Sequence, residues 1–334
     1  MDHLTRSSRN TFAGLELDKS TLLRADETWV GERLRDSATR YVVVWRSQHL
    51  VAIEKVKPVL LEREEVEEFI GPGGTVILLG TRKGNAIFGL GVFDDDAGLA
   101  ERFSKHGLFK DLRRLSPLLS ADDAAVLAYS RAMAYWHQHH RFCGVCGAPT
   151  NSTDAGHCRV CSDDACAQLH HPRTDPAIIV LVEHDNRCLL ARQRIWPPTM
   201  YSSIAGFVEP GESLEGAVVR EVFEETNIKV KEVRYHSSQP WPFPCSIMLG
   251  FHAIAGSTEI HLTDNELEDA LWLSREELVE RVSVGSLQVP PNISIAYRLV
   301  EHWFDVGELG TLAALNEQLQ GRATIEPSRI RAPE

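Results

Sequence analysis

The sequence predicts an α+β protein with more than one domain, on three observations. Short β-branched runs crowd the first third. Five of the seven cysteines fall between Cys143 and Cys166, and strand and helix patterns alternate from Pro176 onward. A chain of 334 residues also exceeds the size at which single cores usually stop growing, about 250 to 300 residues.

The first zone, from about Thr11 to Val92, carries the runs Tyr41-Val42-Val43-Val44-Trp45, Leu50-Val51-Ala52-Ile53 and Thr75-Val76-Ile77-Leu78-Leu79. Gly71-Pro72-Gly73-Gly74 separates two of them, so the zone reads as a β-rich domain. It holds no catalytic motif and is expected to pack, dimerise or cover substrate. Ser120 followed by Asp122 and Asp123 marks a helix start, and a helical pattern runs from Ala121 to His139. His137, His139 and His140 read as a polar helix end, since no spacing among them singles out a ligand pair.

The cysteines follow as Cys143-x2-Cys146, Cys158-x2-Cys161 and Cys166. Two close pairs on adjacent hairpins are what a closed tetrahedral zinc site needs, and such a site leaves no open position for catalysis. Gly144 and Gly147 suit a tight knuckle. Spacing alone selects Cys158 and Cys161 as the second pair, with Cys166 left over. Cys188 and Cys245 are isolated and read as small, partly buried hydrophobes.

A second domain opens with Ala177-Ile178-Ile179-Val180-Leu181-Val182, a run suited to a strand covered on both faces. Arg187 to Arg192 is its expected partner, with helices at Ser213 to Thr226 and Arg275 to Val282. No internal repeat is visible. The net charge of −12 argues against a protein that lives on nucleic-acid backbones but not against a small anionic substrate, because a bound cation can reverse the local field. No signal peptide, membrane span or lipidation motif is read, so the cytoplasm is the expected compartment.

The chemistry concentrates in Gly206-Phe-Val-Glu-Pro-Gly-Glu212 and Arg220-Glu221-Val222-Phe223-Glu224-Glu225. On a helix Glu221 and Glu225 project within about 40° of each other, and Glu224 lies about 60° from Glu221. Leu214, Ala217 and Val218 share that sector. Carboxylates so crowded on an apolar sector repel unless a cation neutralises them, and an all-oxygen donor set suits Mg²⁺ or Mn²⁺. Arg220 is expected to hold one carboxylate through a bidentate pair. Gly206 and Gly211 are expected to allow sharp turns.

These residues resemble the Nudix box, G-x5-E-x7-R-E-U-x-E-E-x-G-U, with Asn227 in place of the late glycine. Asn is the next-best residue for a left-handed helix end. The segment Ser238-Gln-Pro-Trp-Pro-Phe-Pro244, with Ser246 following, is similar to the array of the NADH pyrophosphatase branch of that family. The resemblance implies a Nudix α/β/α sandwich as the C-terminal domain, a zinc ribbon and a β-rich α+β N-terminal domain. It sets expected boundaries at 1–138, 139–172, 173–310 and a tail at 311–334. It implies zinc on Cys143, Cys146, Cys161 and Cys166, because members space the second pair as C-x4-C; Cys158 is then the spare. Mg²⁺ or Mn²⁺ ligation is implied for Glu221, Glu224, Glu225, Glu266 and the backbone carbonyl of Ala205, with Arg220 beside them. Phe207, Gln239, Trp241, Ser246 and Ala296 are implied substrate contacts. His171 stands where the branch often has Tyr, so that contact is altered. The implied activity is hydrolysis of NADH or NAD⁺ to the nicotinamide mononucleotide and AMP by a homodimer. Other Nudix substrates are the alternatives (NAD-capped RNA 5′ ends, ADP-ribose or diadenosine polyphosphates), as is an NAD(H) sensor without catalysis.

Overall fold

The computed structural model describes residues 1–52, 54–71, 74–93, 98–263 and 266–317. Most of the expected tail, together with Ile53, Pro72, Gly73, Asp264 and Asn265, lies outside them. The chain divides into two compact units. One comprises Thr11–Asp175 with Pro240–Ile247; the other comprises Met1–Asn10, Pro176–Gln239 and 248–334. The cysteine ribbon thus groups with the N-terminal unit, and the first ten residues, with helix α1 (His3–Ser8), group with the C-terminal unit.

In the N-terminal unit, helix α2 (Glu27–Arg35) precedes strands β1 (Arg40–Trp45), β2 (Gln48–Ala52) and β3 (Lys57–Pro58). Strands β4 (Gly74–Arg82) and β5 (Asn85–Val92) follow, then α3 (Leu99–Arg102), β6 (Leu108–Asp111), α4 (Leu112–Leu115) and α5 (Ala121–His139). The sheet order is β3-β2-β1-β5-β4, with β6 also on β2, and β1 runs parallel to β5. Tyr41, Val43, Leu50, Leu78, Phe88 and Leu90 pack its core. Ser120 caps α5 by accepting the Asp123 N–H at 3.1 Å.

The histidines ending α5 are not uniformly a polar end. His137 is fully buried, with Nε2 2.8 Å from the Gly156 carbonyl and Nδ1 accepting from Arg159 Nη1 at 2.8 Å. Burial pushes its pKa down to about 4, so it stays neutral and can accept from the guanidinium. This bond ties the helix to the ribbon. The ribbon is a three-stranded sheet of β7 (Thr150–Thr153), β8 (Cys158–Cys161) and β9 (Leu169–His170).

The C-terminal unit continues with β10 (Asp175–His184), β11 (Arg187–Gln193), β12 (Ile204–Phe207), α6 (Leu214–Thr226), β13 (Val230–Trp241) and β14 (Ser246–Ala255). It ends with β15 (Leu267–Leu273), α7 (Arg275–Ser283) and α8 (Ile295–Asp305). Its sheet order is β13-β14-β10-β11-β15, with β12 on β10. The apolar run of β10 is buried on both faces. Ile179 and Leu181 pack with α7 and α8 through Leu278, Ile295, Leu299 and Trp303, whereas Ile178, Val180 and Val182 pack with Ala217, Val218 and Val222 of α6. Helices therefore cover both sides of one sheet, the α/β/α sandwich expected. Cys188 is a fully buried part of that core.

The expectation of no internal repeat needs correction. Reading β4-β5-β1-β2-β6 beside β13-β14-β10-β11-β15, the two units share one strand order. Even the local crossings agree. Leu61, past β3, bridges Tyr41 of β1, and Ser202, before β12, bridges Ala191 of β11. The repeat is topological, carried by strand order, and side-chain identity marks it too weakly to be read from one sequence.

Candidate active site and zinc ribbon

Helix α6 begins at Ser213, whose hydroxyl accepts the Gly216 N–H at 3.0 Å. It ends at Asn227 in the left-handed region (φ 60°), where its N–H returns to the Phe223 carbonyl at 2.7 Å. Val222 is buried in the core, Glu225 is 4% exposed, and Glu224 lies toward solvent. The helix thus carries acids across the boundary between core and solvent.

Arg220 organises them. Its Nε and Nη2 donate to the two oxygens of Glu212 at 2.9 Å each, a bidentate pair. Nη1 donates to Glu221 at 2.8 Å and to Glu224 at 2.9 Å, and Nη2 also reaches the Phe207 carbonyl at 2.9 Å. One planar cation holds three carboxylates and the end of β12 in register. Arg220 holds Glu212 below the usual carboxylate range. Glu221 moves the other way. Burial raises its pKa against the pull of Arg220, and the charges of Glu224 and Glu266 add to the rise.

Gly206 serves a purpose other than a turn. It lies within β12, opposite Ile178, and a Cβ there would sit 2.0 Å from the Glu221 carboxyl. A glycine is needed so that a carboxylate can lie against the strand. Gly211, at φ 89°, is the glycine that turns the chain. Ala205, the neighbour of Gly206, pairs with Ile179.

Glu266 is exposed and accepts from Gln193 Nε2 at 2.9 Å. Phe207 is 62% exposed. Gln239 is wholly buried; its Nε2 donates to the Ile293 carbonyl at 2.7 Å and its Oε1 accepts the Ile295 N–H at 2.7 Å. The resemblance implies a substrate contact for Gln239; the structure shows its amide fixing the start of α8. Ala296 is buried in that first turn, and Ser246 is nearly buried. Trp241 is half-buried in edge contact with Phe243 (ring centres 5.1 Å apart), and both rings meet Phe12. Arg113 and Arg131 lie over Phe243, and Arg131 Nε donates to the Pro242 carbonyl at 2.8 Å. His171 is exposed.

In the ribbon, ligand atoms of Cys143, Cys146, Cys161 and Cys166 all lie within 4.8 Å of one another. The Cys143–Cys166 sulfurs are 3.8 Å apart and the Cys146–Cys161 sulfurs 3.4 Å. Tetrahedral thiolates at about 2.3 Å from zinc stand about 3.8 Å apart, so the donor set fits that ion. Cys158 is buried elsewhere, its sulfur directed to the Arg159 carbonyl. Gly147 has φ 79°, so it is the knuckle residue that takes a positive φ, and Gly144 does not. Backbone N–H groups of Cys146 and Val145 lower the Cys143 thiol pKa to about 6, and His170 Nε2, 3.3 Å from that sulfur, adds to the effect. Sequence reading missed His170, which carries no spacing signal of its own. Among the described residues one further donor cluster exists, formed by His236, His252 and His302. The glutamates do not close to that degree. Their donor chemistry still fits a hard cation: oxygen only, one carboxyl raised by burial, and a glycine cradle for it.

Fold and site define an α/β/α scaffold whose acidic helix lies against a glycine-bearing strand. Family comparisons agree, matching a NUDIX domain over residues 172–292, an NADH pyrophosphatase-like rudimentary NUDIX domain over 38–136, and an NADH pyrophosphatase zinc ribbon domain over 138–170. The chain belongs to the Nudix family, in its NADH pyrophosphatase-like branch. It is 43% identical over 199 residues to the NAD-capped RNA hydrolase NUDT12 of Macaca fascicularis, covering 56% of this chain and 43% of that protein. It is 41% identical over 204 residues to the NAD-capped RNA hydrolase NudC of Mycobacterium bovis, covering 58% and 64%. It is 36% identical over 222 residues to the human NAD(P)H pyrophosphatase NUDT13, covering 62% of each. The chain spans less than two thirds of the length of each of these relatives.

Proposed function

We propose that this protein hydrolyses the diphosphate of NADH or NAD⁺, releasing the nicotinamide mononucleotide and AMP. The observation that carries the reading is Arg220 holding Glu212, Glu221 and Glu224 together beside the Gly206 cradle. Glu221, Glu224, Glu225, Glu266 and the Ala205 carbonyl would hold Mg²⁺ or Mn²⁺. Such ions neutralise a diphosphate and lower the pKa of attacking water. Within that frame Arg220 fixes carboxylate orientation, and one of the glutamates takes the proton of the attacking water. Phe207, exposed at the end of β12, offers a face to a nucleotide base, as does Trp241 in the proline-rich motif. Gln239, whose amide sets the start of α8, would contact the substrate there. Cys143, Cys146, Cys161 and Cys166 hold a structural zinc.

NAD-capped RNA is the second reading, favoured by the names of two relatives. The net charge of −12 suits the free dinucleotide better. Seven cysteines without a disulfide among them suit a reducing compartment, the cytoplasm in our reading. No helix among the described residues is long and apolar enough to cross a membrane. The family resemblance supports a homodimer, to be checked by light scattering.

The test incubates purified protein with NADH, NAD⁺, ADP-ribose, a diadenosine polyphosphate and NAD-capped RNA, with Mg²⁺, Mn²⁺ or EDTA. Metal-dependent release of AMP and reduced mononucleotide, fastest from NADH, is expected. Faster cleavage of capped RNA would move the assignment to decapping. An intact, zinc-loaded protein that cleaves none of them would leave a binding role.

A further inference from the structure

Outside the glutamate helix and the ribbon, His236 on β13, His252 on β14 and His302 on α8 face one another. Their ring centres are 5.3, 5.1 and 5.1 Å apart, and one ligand nitrogen from each lies within 4.8 Å of the others. All three belong to the catalytic unit. They line a cavity of about 400 Å³ together with Arg6, Glu183 and Trp303.

His252 Nδ1 lies 2.6 Å from Glu183 Oε1, so in the neutral ring with its proton on Nδ1 the Nε2 is a bare acceptor. That Nε2 and His302 Nδ1 are buried and have no hydrogen-bond partner. His236 Nδ1 is engaged by the Ser237 hydroxyl at 2.8 Å, leaving its Nε2 as the remaining ring atom. Buried polar atoms without partners are costly, and three convergent imidazoles cannot share one hydrogen-bond solution. Protonating the rings replaces bare lone pairs with like charges in contact. A single divalent ion satisfies all three together.

We propose that His236, His252 and His302 form a third metal site, for Zn²⁺ or a similar borderline transition-metal ion. Imidazole donors select such ions over Mg²⁺ and Mn²⁺. A carboxylate behind a ligating histidine, as Glu183 stands behind His252, is the usual support that fixes its tautomer. Tetrahedral nitrogens at about 2.0–2.1 Å from zinc stand about 3.4 Å apart, so the rings need to close by about 1.4 Å at most. Three protein ligands leave one position facing the cavity, where Arg6 favours an anion or a water. Bound metal would clamp α8 to β13 and β14. These elements also carry the Gln239 bonds to Ile293 and Ile295, so the site steadies the start of α8 from its far end.

The test uses the tag-free full chain, stripped of metal and titrated with Co²⁺ in excess Mg²⁺, which occupies oxygen sites. The wild type should bind one more equivalent than the His252→Ala/His302→Ala double variant. The lost equivalent should carry ligand-field absorption without a thiolate charge-transfer band, while the ribbon's thiolate band is equal in both. Glu183→Gln, which leaves all three rings, should weaken that equivalent 10–100-fold. This variant decides the matter if the double variant fails to fold. Equal Co²⁺ stoichiometry in wild type and a folded double variant overturns the site, and so does unchanged affinity in Glu183→Gln.

Discussion

Between β12 and β13 the catalytic unit places a helix of 13 residues carrying Arg220, Glu221, Glu224 and Glu225. Between β3 and β4 the N-terminal unit places two short 3₁₀ turns, Arg63–Glu65 and Glu67–Phe69. The letters there are nearly the same: Arg63-Glu64-x2-Glu67-Glu68 repeats the spacing of Arg220-Glu221-x2-Glu224-Glu225. The outcome differs. Arg63 pairs with Glu67 at 2.9 Å, Glu68 with Arg102 at 3.5 Å and Glu65 with His106 at 3.3 Å, all near the surface. Where β12 has Gly206 beside a carboxylate, the N-terminal unit has buried Leu61 against Tyr41. A 3₁₀ turn repeats every three residues and these two are short, so Arg63 and Glu67 meet only at the surface and the acids never gather on one half-buried face. Shared topology and similar letters do not make a site; an α-helical repeat, burial and a glycine cradle do.

That contrast can be broken in several ways. The largest effect is expected from Glu225→Gln, which should lower kcat on the order of 10³-fold, the several kcal/mol that a cation at the diphosphate supplies. Glu68→Gln, its counterpart in the N-terminal unit, should leave kcat within about twofold of wild type, a surface substitution away from the chemistry. Equal losses in both would mean that the N-terminal turns are catalytic after all. Gly206→Ala should cost about 100-fold in turnover, since its Cβ displaces the Glu221 carboxyl by more than an ångström, a misplacement of the size that costs this much. Circular dichroism should show the fold kept.

Leu61→Ala tests the other half of the comparison. It should destabilise by about 2–5 kcal/mol in denaturant unfolding while activity per folded molecule is retained. A fall in specific activity would give the N-terminal unit more than a packing role. The smallest effect concerns pH. Burial raises the Glu221 pKa, so its ionised form opposes folding above the folded pKa and has no effect below the unfolded value, near 4.5. Without divalent metal, Glu221→Gln should therefore melt slightly above wild type at about pH 8, and the gap should close by about pH 4. A gap independent of pH would mean that Glu221 is not strained by its burial.

Much of this was legible from residue spacing. The extent of α6 to within a residue, the Ser120 cap and the left-handed Asn227 follow from local backbone chemistry, which a string of residues displays directly. The two-sided burial of β10 was legible too, because an uninterrupted apolar run has no polar face to offer water. His137 was misread because its partners, Gly156 and Arg159, come from the ribbon. That the Gln239 amide engages two backbone groups of a distant loop was not legible, because those groups lie more than fifty residues away. Gly206 was assigned a turn because glycine usually serves one; its actual neighbour, Glu221, arrives from the next element.

By itself the sequence determined the donor chemistry: thiolates in pairs, carboxylates at helical spacing and an arginine placed to reach them. Those are consequences of side-chain type and of the fixed geometry of a helix, so they survive without a fold. Spacing alone selected Cys158 over Cys166, and the family resemblance chose Cys166. Only the tertiary structure decided that one strand order is used twice and that His236, His252 and His302 converge. The reason is physical. Each of these depends on which strands and helices, remote along the chain, are brought together by burying their apolar faces, and a burial shared between distant segments leaves no mark in the spacing of either one.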